Sequence, residues 1–298
     1  MEHGDRQTVA VPWVDSARDF GAGSRAPIRK SARSAALRCL SMVEDLRCVL
    51  AEDPAQVPRV QCLYLHHVFP DEAVRFKRFV EELSRTGEIV SHERAAMLSR
   101  EPILDKPYYS ISFDDGLQSC LTAARILEDF GVTACFFVCP GVLDHAGDDA
   151  FVANWCVERL HRPPARVLTW DEVGSLLEAG HEVGNHTWSH EDLSTLDSTG
   201  LNRQITHARS RLVEVLGPMA GRHFAWPYGE RRHVSDAALR EVKDAGHVTC
   251  ASAIRGAHRA DGRPAKFIHR DHVIFEGPPS DLRWFLRSNV RKGLLASM

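Results

Sequence analysis

The sequence predicts an α/β protein built on a parallel sheet, and three observations support that class. From residue 59 onward, short β-like runs alternate with helical segments about six or seven times in succession. Glycines stand just past several of the helical segments, where a left-handed residue ends a helix without steric cost. Polar, chemistry-bearing residues recur at the ends of the β-like runs. Strands joined through helices run parallel, because a parallel pair needs a long crossover. The chain therefore reads as either a doubly wound sheet or a closed barrel.

Residues 1–30 are rich in Gly, Ser, Arg and Pro without periodicity and read as a flexible N-terminal arm. Residues 31–58 read as an N-terminal helical extension, since Leu37, Leu40, Val43, Leu46 and Leu50 recur every three to four positions and need a surface to dock on. Residues 59–298 form the main domain. Its first strand is RVQCLYLHHVF, followed by the helix EAVRFKRFVEEL with Phe76, Phe79, Val80 and Leu83 on one face. PYYSISF is the next strand, and QSCLTAARILEDFG is its helix, ended by Gly131. VTACFFVC is another strand. Residues 141–168 read as a long irregular stretch, the kind of loop that borders a site in α/β enzymes. In TWDEVGSLLEAG either Thr169 or Asp171 caps a helix that Gly180 ends, and HEVGNH is the strand that follows. Helix LNRQITHARSRLVEVLG, strand HFAWP, helix SDAALREVKDAG, strands VTCASA and KFIHRDHVIF, and a closing helix DLRWFLRSNV complete the alternation.

Composition narrows the function classes. The chain has 298 residues and a formal net charge of −3, so it carries no basic surplus for neutralising a phosphate backbone and is not expected to bind nucleic acid. No apolar run approaches the roughly 18 residues of a membrane span, and the N-terminus lacks a basic segment followed by an apolar core, so a cytoplasmic protein without stable membrane insertion is expected. The eight cysteines include no CxxC pair and mostly lie in apolar segments, as suits reduced, buried thiols. Cys135 and Cys139, four apart in CFFVC, would share one face of a strand.

In parallel α/β folds the site lies at the carboxyl ends of the strands. Asp114 and Asp115 end one strand, Asn185 and His186 another with His190 four residues on, Pro227, Tyr228 and Gly229 a third, and His66 and His67 the first. If the segment after Asn185 turns into a helix, the spacing of His186 and His190 puts both imidazoles within reach of one cation. Two imidazoles and one carboxylate leave open positions, as in a catalytic metal site. Adjacent aspartates at a strand end then divide the work: one binds the cation, and the other stays free as a general base for the attacking water.

SFDDG with HEVGNHTWSH resembles the first two motifs of the NodB-type polysaccharide deacetylases, carbohydrate esterase family 4, and FAWPYG resembles their third. The match runs from about residue 59 to residue 275. The resemblance implies a distorted (β/α) barrel of about seven strands and metal-dependent removal of acetyl groups from N-acetylated sugars. It makes Asp114 the general base and Asp115, His186 and His190 the ligands of a divalent metal. Zinc is expected first, with cobalt, iron or nickel as alternatives. The backbone N–H of Tyr228 becomes a donor to the oxyanion.

Two departures from the common motifs stand out. Motif three usually begins with an arginine that orients the base, and here Ala225 occupies that position; Arg270 in FIHRDHV is taken as the stand-in. The usual late histidine, the general acid, is missing. The poly-N-acetylglucosamine deacetylase branch has permuted motifs and carries its acid histidine on an early strand, the place LYLHHVF occupies here. His66 aligns best with that residue and His67 is the alternative. Neighbours on a strand face opposite ways, so one of the two is expected in the cavity. His269, Asp271 and His272 are read as structural or substrate-contacting, and Trp188 and Trp226 either line a sugar pocket or pack.

The resulting expectation is N-deacetylation of an N-acetylated sugar, nucleotide sugar or lipid-linked glycan in lipopolysaccharide, O-antigen or capsule biosynthesis. A metal-dependent amidase on a non-sugar substrate, or a degenerate glycan-binding protein, are the alternatives.

Overall fold

The computed structural model describes residues 11–21, 56–258, 267–275 and 286–290, with isolated helical positions at 36, 39, 40, 42, 43 and 284. Most of the helical extension expected over residues 31–58 lies outside the described residues, as do Leu37, Leu46 and Leu50.

The strands are β1 (Arg59–Leu65), β2 (Glu88–Ile89), β3 (Pro107–Phe113), β4 (Cys135–Val138), β5 (Glu182–Asn185), β6 (His223–Ala225), β7 (Thr249–Ala251) and β8 (Arg270–His272). They pair in the order β7-β6-β5-β4-β3-β1-β8, all parallel, with β2 alongside β3. Ile268, just ahead of β8, also pairs with Ala251 of β7, so the seven principal strands form a nearly closed barrel. Both faces of β1 and β3 are buried, so even their polar residues Arg59, Gln61, Ser110 and Ser112 lie out of solvent. One set of side chains, including Leu63, Leu65, Ile111 and Phe113, packs outward against Phe76, Phe79, Val80 and Leu83 of the helix Ala73–Thr86. The other set, including Val60, Cys62, Cys135, Phe137, Ala225 and Ala251, fills the interior.

Local signals explain most helix boundaries. Gly131 and Gly180 take left-handed φ of 65° and 87° just beyond their helices. Thr169, not Asp171, is the cap of the helix Trp170–Glu178: its side chain accepts from Glu172 N–H while the Glu172 carboxylate accepts from Thr169 N–H. The structure departs from the sequence reading at 141–168, which contains the helices Pro140–Leu143 and Asp149–Glu158. In DAFVANWCVE the apolar residues crowd together rather than forming a stripe, so no helical period shows, even though Asp148 caps the segment. Residues 11–21 also differ from a loose arm. They include the short helix Ala17–Phe20 and pack against the barrel, with Phe20 buried. No described helix is long and apolar enough to cross a membrane.

At the end of the barrel opposite the strand termini discussed below, the Glu182 carboxylate accepts the N–H groups of His92 and Glu93 at the start of the helix His92–Leu98, an element absent from the sequence reading. Nearby, burial pushes His223 down to about 4 and His247 down to about 3. An unfolded chain would protonate these imidazoles near pH 6.5 while the folded chain would not, so the unfolded state binds more protons between those values and stability decreases as pH is lowered. The urea midpoint is therefore expected to be level above pH 7 and to drop steadily from about pH 6.5 toward 5. A midpoint unchanged to pH 5 would mean that both rings protonate freely in the folded chain.

Candidate active site

The mouth of the barrel is built by chain reversals immediately after the strands. β3 ends at Phe113, and Asp115 and Gly116 then take left-handed φ of 73° and 71°. This reversal breaks the strand's alternation and lets the two neighbouring carboxylates serve one site. Asp115 is not alone: Thr187, His190 and Tyr228 have φ of 67°, 63° and 59°. Such conformations cost about 1–3 kcal/mol each and persist where surrounding bonds enforce them. A β-branched residue is the least expected of the four, and Thr187 is held by donating its N–H to Asn185 Oδ1 at 2.9 Å while its Oγ1 accepts from His190 N–H at 3.0 Å.

His186 and His190 thus converge through a loop with two left-handed residues, not through a turn of helix as the spacing alone suggested. The loop rests on the helical segment Ser198–Leu216, which widens into a π-type turn at Arg203–His207. Carbonyls of that turn serve as anchors: Gln204 O accepts from Trp188 N–H at 3.0 Å, and Ile205 O accepts from Asn185 Nδ2 at 3.0 Å. The buried Gln204 side chain accepts from Ser189 N–H and donates to Ser189 Oγ at 2.8 Å. Gln204 escaped the sequence reading because a glutamine inside a helical run carries no local signal. Gln204→Ala is expected to weaken divalent-metal affinity roughly 10-fold or more, by analogy with other residues that orient ligands. Zinc titration against a competing chelator measures this; an unchanged affinity would mean that the loop keeps its shape unaided.

Asp115 Oδ1 lies 3.4 Å from His186 Nε2 and 3.4 Å from His190 Nε2. All three residues are buried, and their ligand atoms lie within 4.8 Å of one another. His186 Nδ1 meets Ala225 O at 2.9 Å, which requires the proton on Nδ1 and leaves Nε2 free as a ligand when the ring is neutral. Burial pushes His190 down to about 4, so that imidazole is neutral near pH 7. Asp115 Oδ1 has no hydrogen-bond partner among the described residues although it is buried, a costly arrangement unless a cation supplies the missing interaction. The 3.4 Å separations fit the edge of a tetrahedron whose centre is about 2.0–2.1 Å from nitrogen and oxygen ligands. These residues fit a divalent cation.

Asp114 stands beside this triad and is engaged differently. Arg270 Nη1 and Nη2 donate to its two carboxylate oxygens at 2.7 and 2.8 Å, a two-pronged pair with both side chains buried. Arg270 donates further to Ser112 Oγ and Ser252 O, and its guanidinium lies over the rings of Tyr64 and Phe137. Burial would raise the Asp114 carboxyl, but the Arg270 charge, with help from His186, outweighs it and holds the group below the ordinary carboxylate range. The strand that carries the arginine is β8, which closes the barrel next to β1.

His66 Nε2 lies 4.0 Å from Asp115 Oδ2, and His66 Nδ1 meets His272 Nε2 at 3.0 Å. His272 stacks on Tyr64 with ring centres 4.8 Å apart, so it is part of the site wall. His67 does not turn away as strand alternation predicts. β1 has ended by Leu65, and both histidines line the same cavity, with His67 Nε2 3.7 Å from Glu72. Tyr228 sits at the rim, its ring 4.8 Å from that of His190 and its hydroxyl donating to Arg159 O at 3.0 Å. No backbone carbonyl among the described residues accepts its N–H.

The remaining candidates have structural surroundings. Asp271 is buried, accepting from Gln61 Nε2 and Gly256 N–H, and His269 N–H donates to His258. Trp226 is packed between Phe224 and Phe267, whereas Trp188 walls a separate cavity with Trp155, Arg159 and Arg203. Cys135 faces the barrel interior, while Cys139 lies past the end of β4 and donates to His186 O, so the two do not form a common site.

A parallel barrel that gathers one carboxylate and two imidazoles at its strand ends, beside an arginine-clamped second carboxylate, defines a barrel protein with a candidate divalent-cation centre. The polysaccharide deacetylase family model matches residues 102–250, and the chain belongs to that family. A chitin deacetylase of Pestalotiopsis sp is 30% identical over 111 residues, covering 37% of this chain and 30% of that protein. The chain thus spans well under two thirds of the length of the curated relatives it matches. In fold it is similar to IcaB from Ammonifex degensii, with a TM-score of 0.59 and 20% identity over 79% of this chain and 99% of that one. It is likewise similar to the Streptococcus pyogenes deacetylase PplD, solved in complex with acetate, with a TM-score of 0.58 and 16% identity over 82% and 98% of the two chains.

Proposed function

We propose that the protein hydrolyses the acetamide of an N-acetylated amino sugar, releasing acetate and a free amine. The observation that carries this reading is the Asp115–His186–His190 triad next to a carboxylate, Asp114, that Arg270 keeps ionised and oriented. Asp115, His186 and His190 would hold a divalent cation, zinc by preference, whose chemistry is to polarise the acetyl carbonyl and lower the pKa of water. Asp114 takes the proton from the attacking water. Its low pKa keeps it unprotonated at neutral pH, and the arginine fork fixes the direction of its free lone pairs. The N–H of Tyr228 would donate to the oxygen on which charge develops in the transition state. His66, steered by its bond to His272, is the group that returns a proton to the departing nitrogen.

The form of the substrate belongs to the same proposal: a nucleotide sugar or lipid-linked glycan met in the cytoplasm during lipopolysaccharide or capsule assembly. Purified protein, stripped with chelator and reloaded with zinc, cobalt, iron or nickel, is to be assayed for acetate release from N-acetylglucosamine oligomers and from UDP-N-acetylglucosamine. Chelator-sensitive release restored by metal supports the proposal; failure to bind any of these metals, with no acetate from any substrate, would sink it.

A further inference from the structure

Residues 11–21 form a strap across the rim of the site. At one end Val14 N–H donates to Pro164 O at 2.9 Å, and Arg166 covers the ring of Trp13 at 4.9 Å. At the other end Ala17 N–H donates to Asp71 Oδ1 at 3.1 Å, on the segment that follows β1. Phe20 completes the crossing. Its ring packs on His67 and Phe69 with centres 4.8 and 5.5 Å away, and the Arg162 guanidinium lies over it at 5.7 Å. The strap therefore joins the β1 side of the mouth to the loop after the helix Asp149–Glu158.

Ala17, Phe20 and Gly21 line the same cavity as Asp115, His66 and His190. Leu160, Tyr228, Ile274 and Phe275 line it as well. Its volume is about 150 Å³, below the roughly 300–1,000 Å³ usual for a pocket that engulfs a whole ligand. His67, which also lines it, has a buried Nδ1 with no hydrogen-bond partner among the described residues.

We propose that the strap converts the mouth of the barrel into a blind pocket, so that the protein deacetylates a terminal N-acetylated sugar, or a single one, and not residues inside a polymer. Phe20 is the specificity determinant, standing where a chain continuing beyond the reacting residue would pass. The inference rests on the deacetylase reading of the site.

A pentamer of β-1,4-linked N-acetylglucosamine, incubated with the zinc-loaded 298-residue protein, tests it. Acetate release is measured first, and the position of each free amine is then read by tandem mass spectrometry. The wild-type protein is expected to leave one free amine per chain, at an end. Phe20→Ala is expected to raise the ratio of internal to terminal amines at least tenfold. Trp13→Ala with Asp71→Ala loosens both strap anchors without altering the pocket lining; it is expected to raise the same ratio while terminal deacetylation stays within about threefold of wild type. This double variant decides the matter if Phe20→Ala does not fold. Internal amines formed by the wild-type protein as often as terminal ones, or a ratio that the anchor variant leaves unchanged, would overturn the strap proposal while leaving the deacetylase reading intact. Absence of acetate from every sugar would overturn both.

Discussion

Asp114→Asn is expected to lower kcat for acetate release by about 10²–10⁴ while the protein still binds one divalent metal per chain. The range is that of a lost general base. Asparagine keeps the shape of the side chain and still offers one oxygen to Arg270, but it cannot accept a proton from water. The metal is expected to stay because Asp115, His186 and His190 are separate side chains, with Asp115 Oδ1 3.4 Å from each imidazole. The companion change, Asp115→Asn, should show the opposite pattern, losing metal and activity together. Metal content by atomic emission, set beside single-turnover acetate release, separates the two. Should Asp114→Asn keep activity within tenfold of wild type, the proposed division of labour between the neighbouring aspartates is wrong.

The second large effect is expected at Arg270. Arg270→Met fills similar space but leaves the Asp114 carboxylate buried without its partner, which typically costs about 3–5 kcal/mol of stability. The native pair holds the Asp114 pKa below its unfolded value, so its stabilisation is present above the unfolded pKa and disappears as pH falls through the folded one. Without the arginine, burial dominates and the carboxyl titrates higher. The acid limb of the kcat/KM profile should therefore move to higher pH, and activity at pH 6 should fall more than activity at pH 8. Arg270→Lys keeps the charge but not the fork, and is expected to recover stability better than rate. A merely structural arginine would lower the amount of folded protein without moving the acid limb.

Much of the site was legible because its chemistry is written in residue types that strand ends rarely carry without cause. Asp114, Asp115, His186 and His190 could be picked out from SFDDG and HTWSH, and Arg270 was proposed as a stand-in from FIHRDHV near the last strand. How these groups meet was not legible. Helical spacing offered a simple route for the two histidines to converge, but the structure uses left-handed Thr187 and His190, supported by Gln204 from a turn that no periodicity reveals. Strand alternation assigned His66 and His67 to opposite faces, and it fails because the strand stops at Leu65. The helix Asp149–Glu158 was hidden for a related reason: it buries Val152, Trp155 and Cys156 on one face, but Ala150, Phe151, Ala153 and Val157 make the rest apolar as well, so no polar face marks the period.

By itself, the sequence determined the alternation of strands and helices, the outward apolar stripe of Ala73–Thr86, and the set of ionisable side chains at the strand ends. Those follow from local periodicity and from the chemical identity of single residues, which need no knowledge of distant partners. Tertiary structure alone decided that β8 returns beside β1 to bring Arg270 onto Asp114, 156 positions away, and that residues 11–21 cross the mouth of the barrel. Pairings of that kind depend on which surfaces are left to bury once the barrel closes, and no window of the chain holds that information.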